Sequence, residues 1–263
     1  MFDYHMHTKV SFDSKEEPIN AIAAAEARGL REICFTDHYD YNDIPTRKHD
    51  LFTLEDYSAA YDSVSSDRLL VRRGVEFGLT PWNRAELGAL TSSRRFDFVI
   101  GSVHCVDGHD PYEAVYWEGR SVARSFERYL EQVLKCVRAH DGFDVLGHLN
   151  YVCKSPNNPT HEPLRYEDYR DICDEIMRVL VRGGKGIEIN ASGIDRVGEP
   201  LPSRAFVERF RELGGEIVTV GSDAHVADRV GHNVDKSIEI ARDVFGYVCT
   251  FAERKPIFHK LKP

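Results

Sequence analysis

Nowhere does the sequence hold the run of about 18 apolar residues that a membrane-spanning helix requires. Residues 1–15 carry charges where a secretion signal needs an apolar stretch. No C-x-x-C pair occurs among Cys34, Cys105, Cys136, Cys153, Cys173 and Cys249, so reduced, partly buried thiols are expected rather than a cysteine-built zinc site. Positive charge is also short. With 34 Lys+Arg against 43 Asp+Glu, the formal charge of −9 argues against non-specific attraction to nucleic acid or anionic membrane. Low-complexity stretches and linkers are missing as well. A cytoplasmic, globular chain is therefore expected. At 42% hydrophobic residues it can bury a large core, and its 263 residues suit either two small domains or one α/β barrel.

What the chain does have is rhythm. Short apolar, β-branched runs recur at 2–7, 32–38, 69–77, 96–104, 143–148, 186–190 and 216–223, about one βα unit apart. Helical periodicity fills the gaps. Ser14, Pro18 and Gly29 bracket a first helix. Phe126, Leu130, Val133, Leu134 and Val137 make one face of a second. Ile172, Ile176, Val179 and Leu180 mark a third, and Phe206, Val207, Phe210 and Leu213 a fourth; each of these two ends in a Gly-Gly pair. Alternating strands and helices imply a parallel sheet covered by helices. Seven units without a linker predict one closed or nearly closed barrel spanning 1–263. An open doubly wound sheet usually carries a Gly-rich turn after its first strand, and here that turn reads His7-Thr8-Lys9-Val10.

Twelve histidines stand out, and their positions matter more than their number. His5 and His7 end the first strand, and residues two apart on a strand face the same way. Asp37 and His38 end the second strand, Glu76 lies on the third, His104 and His148 end the fourth and fifth, and Asp223 and His225 follow the seventh. Strand ends of a barrel converge on one mouth, where active sites form. A single histidine at such a position is more often merely hydrogen-bonded. Six strands delivering His, Asp or Glu to one place is a different matter. His49, His109, His140, His161, His232 and His259 scatter over helices and loops and read as incidental.

These motifs, His5-x-His7, Thr36-Asp37-His38, Gly74-Val75-Glu76, the His104 and His148 strand ends and Ser222-Asp223-Ala224-His225, resemble the PHP family of metal-dependent phosphoesterases. Glu188-Ile189-Asn190-Ala191-Ser192-Gly193, Gly198-Glu199-Pro200 and Arg254-Lys255-Pro256 are similar to its histidinol-phosphate phosphatase branch. The resemblance runs through the whole chain and implies an α/β fold, a distorted (β/α)7 TIM-like barrel. It also implies three divalent or trivalent metal ions, drawn from zinc, iron and manganese. The first would be held by His5, His7, Glu76 and Asp223; the second by His104 and His148, with Glu76 bridging; the third by Asp13, His38 and His225. Asp37 is expected to orient a ligand. An oxygen ligand at Asp13 hardens the third site towards iron or manganese.

The implied reaction is hydrolysis of L-histidinol phosphate, a step of histidine biosynthesis, with Glu76, Asp223 and His225 as catalytic residues. Ions about 3.5–4 Å apart could supply a hydroxide at neutral pH to attack phosphorus while neutralising the phosphate oxygens. Lys154 and Arg196 are the candidate phosphate-binding cations, and Arg165 could serve instead. Lys154 would supply charge without the bidentate fork of Arg. The aromatic loop 106–119 could receive an imidazole or amine, although ordinary packing explains its aromatic residues equally well. Other small phosphate esters, a nucleotide or a phosphotyrosyl protein would need the same metals. A non-catalytic metal-binding or regulatory barrel is the further alternative, which loss of one or more ligands would support, yet every expected ligand position is filled. Nuclease action is disfavoured by the acidic charge and the missing basic stripe.

Overall fold

The computed structural model describes residues 1–41 and 49–262. Among the described residues, eight parallel strands form one sheet: β1 (Phe2–Asp3), β2 (Glu32–Phe35), β3 (His38–Asp40), β4 (Leu70–Gly78), β5 (Phe98–Ser102), β6 (Val145–Leu146), β7 (Gly186–Asn190) and β8 (Val218–Gly221). β2 and β3 both pair with β4, one beyond the other, and so share one position in the order β1-β2-β4-β5-β6-β7-β8. The two ends of that order meet. Tyr4 N donates to Val220 O at 2.9 Å, Asp223 N to His5 O at 2.8 Å and His7 N to Ala224 O at 2.8 Å. Seven strand positions thus make a nearly closed barrel, as the spacing of apolar runs predicts.

Helices α1 (Pro18–Ala27), α2 (Leu54–Tyr61), α3 (Arg84–Ser93), α4 (Ala114–Trp117), α5 (Val122–Ala139), α6 (Arg170–Arg182), α7 (Ile194–Val197), α8 (Arg204–Glu212) and α9 (Val234–Phe245) connect the strands. α5 shows why these segments are helical. Ser121 caps it by accepting from Arg124 N at 3.2 Å, and Phe126, Tyr129, Leu130, Val133 and Val137 recur at helical spacing and are buried. Each such side chain contributes about 1.5–3 kcal/mol on burial. α1 starts at Pro18 as expected, but its cap position is Glu17, and the Ser14 hydroxyl instead donates to His225 O at 2.8 Å. All six cysteines are free and buried. Among the described residues no helix is long and apolar enough to cross a membrane.

The chain ends in an antiparallel hairpin that its apolar pattern had not suggested, β9 (Tyr247–Ala252) with β10 (Lys255–Lys260). Phe251 reaches under the barrel, its ring 4.8 Å from that of Phe98, and its N–H donates to the Tyr4 hydroxyl at 3.0 Å. The amino ends of the strands are thereby covered, and the carboxyl ends are left to build a site.

Candidate metal centre

Glu76 sits at the middle of the carboxyl face, wholly buried. Its Oε1 lies 2.9 Å from His148 Nε2 and 3.3 Å from His104 Nε2. Its Oε2 lies 3.2 Å from His5 Nε2, 3.5 Å from His7 Nε2 and 3.1 Å from His38 Nδ1. Five imidazoles from four strand positions therefore surround one carboxylate. Asp223 approaches from the β8 end, with Oδ1 3.3 Å from His7 Nε2. Its backbone takes the left-handed φ of 56°, a conformation that Asp tolerates better than most side chains. Asp13 comes from the loop after β1 and sets Oδ2 2.9 Å from His225 Nε2 and 3.5 Å from His38 Nε2.

The imidazoles are oriented from behind. Glu188 Oε1 accepts from His5 Nδ1 at 2.6 Å, and Asp40 Oδ2 from His104 Nδ1 at 2.8 Å. The carbonyl oxygen of Asp223 accepts from His225 Nδ1 at 3.0 Å. Carboxylates and carbonyls only accept, so each of these rings carries its hydrogen on Nδ1 and turns Nε2 to the cluster. Two glycines make room for these supports. A Cβ on Gly78 would fall 2.4 Å from Asp40 Oδ1, and one on Gly221 2.3 Å from His5 Cβ. Asp37 is buried away from the cluster and accepts from Thr8 N at 2.7 Å and Ser11 Oγ at 2.9 Å, so it reaches the His7 ring through Ser11.

The donor set suits cations. His5 Nε2 and His7 Nε2 face each other at 3.1 Å. Glu76 Oε2 and His38 Nδ1, although close, are not aligned for a hydrogen bond and are buried without a partner, as is His148 Nδ1. Burial works against protonation of His5, His38 and His104, yet the neighbouring carboxylates win and raise all three, His38 to about 9. Burial, with His225 and His38 beside it, holds His7 well below its ordinary value. Burial opposes ionisation of Glu76 and Asp223, but the surrounding imidazoles, and Lys154 beside Asp223, keep both carboxyls well below the usual range. The cluster thus requires positive charge, as protons or as metal, and a metal ion would displace the protons. Ligand atoms fall within 4.8 Å of one another in several groups: His5, His7 and Asp223; His5, Glu76 and His148; His7, Asp13, His38 and His225; and His38, Asp40 and His104.

The cluster opens into a cavity of about 300 Å³, lined on its far wall by Asp110, Tyr112, Tyr151 and Lys154. The Tyr112 and Tyr151 rings stack at 5.1 Å, and Tyr151 lies 5.1 Å from His104 and 5.0 Å from His148. Lys154 Nζ donates to Asp223 Oδ2 at 2.6 Å and Ser192 Oγ at 3.0 Å. Arg196 and Arg165 are exposed and lie outside the cavity lining; Arg196 acts on Tyr112 through space, and Arg165 on Glu199. In the loop 106–119 the aromatic residues divide: Tyr112 faces the cavity, whereas Tyr116 and Trp117 are buried on α4. Of the remaining histidines, His140 Nε2 donates to Thr80 O at 2.8 Å, His259 meets Thr250 Oγ1 at 2.7 Å and His232 lies 3.3 Å from Asp195. The sequence reading overlooked Glu188 and Asp40 as supports. A charged residue inside the buried run Gly186–Asn190 was the available signal for the first.

A model of the PHP domain matches residues 3–192. The chain is 31% identical to a probable histidinol-phosphatase of Clostridium acetobutylicum over 92% of this chain and 93% of that one. It is 30% identical to the histidinol-phosphatase of Lactococcus lactis over 96% of this chain and 95% of the other. A crystal structure of histidinol phosphate phosphatase from Lactococcus lactis, complexed with zinc, L-histidinol and phosphate, superposes with a TM-score of 0.86 at 28% identity, covering 97% of this chain and 98% of that one. With most of its length matched by the family model and nearly all of it by these relatives, the chain belongs to the PHP domain family.

Proposed function

We propose that this chain is a metal-dependent phosphomonoesterase that hydrolyses L-histidinol phosphate to L-histidinol and phosphate, acting in histidine biosynthesis as a single barrel over residues 1–263. One observation carries the reading: the imidazole and carboxylate cluster opens on a small cavity in a chain that follows, end to end, an enzyme crystallised with zinc, L-histidinol and phosphate. Three ions are assigned, drawn from zinc, iron and manganese. His5, His7, Glu76 and Asp223 would hold the first, His104, His148 and Glu76 the second, and Asp13, His38 and His225 the third. Such ions supply Lewis acidity, neutralising phosphate oxygens and bringing the pKa of water near 7.

The chain's own residues do the rest. Glu76, between five imidazoles, and Asp223, at the β8 end, keep the charge of the cluster fixed while a dianionic ester enters. His225, with its Nδ1 hydrogen committed to a carbonyl, presents Nε2 beside Asp13 at the cavity lip. These three are the catalytic assignments. Lys154 is held by Asp223 and Ser192, so its ammonium is oriented before substrate arrives, which reduces the ordering cost of binding. Arg196 and Arg165 extend the positive charge outside the cavity. The stacked Tyr112 and Tyr151 rings offer an apolar wall to the imidazole end of the substrate. The partner is a small ester, since a polyanion would meet a chain of net charge −9.

Metal analysis of the purified protein, together with a panel of phosphate esters, tests the reading. Histidinol phosphate should be turned over with the highest kcat/KM, and strong chelator should abolish activity. Histidinol phosphate cleaved no better than p-nitrophenyl phosphate overturns the substrate. Full activity in chelator without stoichiometric metal overturns the mechanism.

A further inference from the structure

Ser11 lies in the turn between His7 and Asp13, and 3% of its surface is exposed. Its hydroxyl has one hydrogen to give and two lone pairs to receive with. The hydrogen goes to Asp37 Oδ1 at 2.9 Å, an oxygen that already accepts from Thr8 N at 2.7 Å. One lone pair receives His38 N at 3.0 Å. The other faces His7 Nδ1 at 3.0 Å. With the hydroxyl hydrogen committed, the oxygen can only accept from the ring. His7 must then carry its hydrogen on Nδ1 and turn a bare Nε2 to Glu76 and Asp223. On its other side Asp37 is held by the Tyr61 hydroxyl, itself 2.6 Å from Thr8 Oγ1. One buried oxygen therefore sets the tautomer of His7 and the backbone position of His38, two strand ends at once.

We propose that Ser11, anchored by Asp37, is a positioning residue that sets the metal affinity of the part of the cluster built on His7 and His38; this rests on reading those two histidines as metal ligands. Because the hydroxyl acts through other side chains, its loss should appear in ion retention before it appears in chemistry. Supports of this kind are worth about 10–100-fold in metal affinity.

Zinc affinity, measured by competition with a chelator of known strength, should fall by about 10–100-fold in S11A and stay near that of the parent in S11T, which keeps the hydroxyl. Two-bond ¹H–¹⁵N correlations of the metal-free parent should show His7 in its Nδ1–H tautomer, and S11A should show a mixture. Undiminished zinc affinity in S11A, equal loss in S11A and S11T, or an Nε2–H tautomer for His7 in the parent would each overturn the proposal. A parent protein that binds no zinc at all would overturn the reading of the cluster as a metal centre, which is a separate result.

Discussion

The two ends of the barrel treat buried polar groups in opposite ways. At the amino end, donors meet acceptors. The Tyr4 hydroxyl donates to Glu32 Oε1 at 2.6 Å, and Arg72 Nε donates to the same oxygen at 2.8 Å. Arg254, at the tip of the closing hairpin, donates to Asp144 Oδ2 at 2.5 Å, and Val99 N donates there at 2.9 Å. At the carboxyl end, acceptors also meet acceptors: Nε2 against Nε2 between His5 and His7, and Nε2 of both against Glu76 Oε2. One end is completed by the protein's own atoms; the other needs added positive charge as well. Buried groups without a complement are costly, so the carboxyl end carries stored demand for a ligand, whereas the amino end carries stability.

The sharpest way to break this contrast is at the centre of the cluster. Glu76→Gln leaves the shape nearly intact and removes the charge that five imidazoles share. Turnover should be abolished and metal stoichiometry should fall, as read by phosphate release and metal analysis. A variant with full activity and full metal content would erase the distinction between the two ends.

The opposite substitution should give the opposite result. Arg254→Ala leaves the Asp144 carboxylate buried without its cation, and should cost roughly 2–3 kcal/mol of stability. Denaturant unfolding measures that loss. Metal content and kcat per folded molecule should match the parent. A fall in kcat without a fall in stability would place Arg254 in the machinery of the site rather than in its foundation.

Lys154 belongs to neither end cleanly, since it pairs with Asp223 and lines the cavity. Lys154→Ala should raise KM by about tenfold, the scale of one charge-assisted hydrogen bond, with kcat little changed if phosphate is bound equally in ground and transition states. A fall in kcat with KM unchanged would move it to the transition state.

The two ends also differed in how well they could be read from sequence. Strand-end residues announce themselves, because alternation and barrel geometry send His5 with His7, and Asp223 with His225, to the mouth. The structure brings all nine of the suggested ligands into one neighbourhood. The supports were harder to see. Glu188 and Asp40 act across the barrel, 183 and 64 residues from the rings they hold, and only the register of the strands brings them into reach, whereas Ser11 sits in a turn 4 residues from His7 with no pattern to mark it. The closing hairpin was missed for a local reason. Its turn uses Glu253 and Arg254 at φ of 49° and 64°, where Asn-Gly or Asp-Gly would have signalled a hairpin. Arg254 belongs to the family-like segment Arg254-Lys255-Pro256, but its partner Asp144 lies 110 residues away.

The smallest effect tests a histidine outside both ends. His140 is buried, donates Nε2–H to Thr80 O, and has its pKa lowered, chiefly by burial. An unfolded histidine takes up a proton near pH 6.5, whereas folded His140 resists until lower pH. The stability it contributes is therefore whole above about pH 6.5 and is lost as the pH falls from there through its folded pKa. His140→Gln keeps a donor for Thr80 and removes the titration. Measured in chelator, the stability of the parent minus that of the variant should decline between pH 7 and pH 5, with a slope of at most about 1.4 kcal/mol per pH unit. Turnover of the metal-loaded variant at pH 7 should stay close to that of the parent. A stability difference that is flat with pH would mean that His140 binds its proton alike in both states. Lost turnover would mean that this histidine supports the mouth through Thr80 and the β4 end.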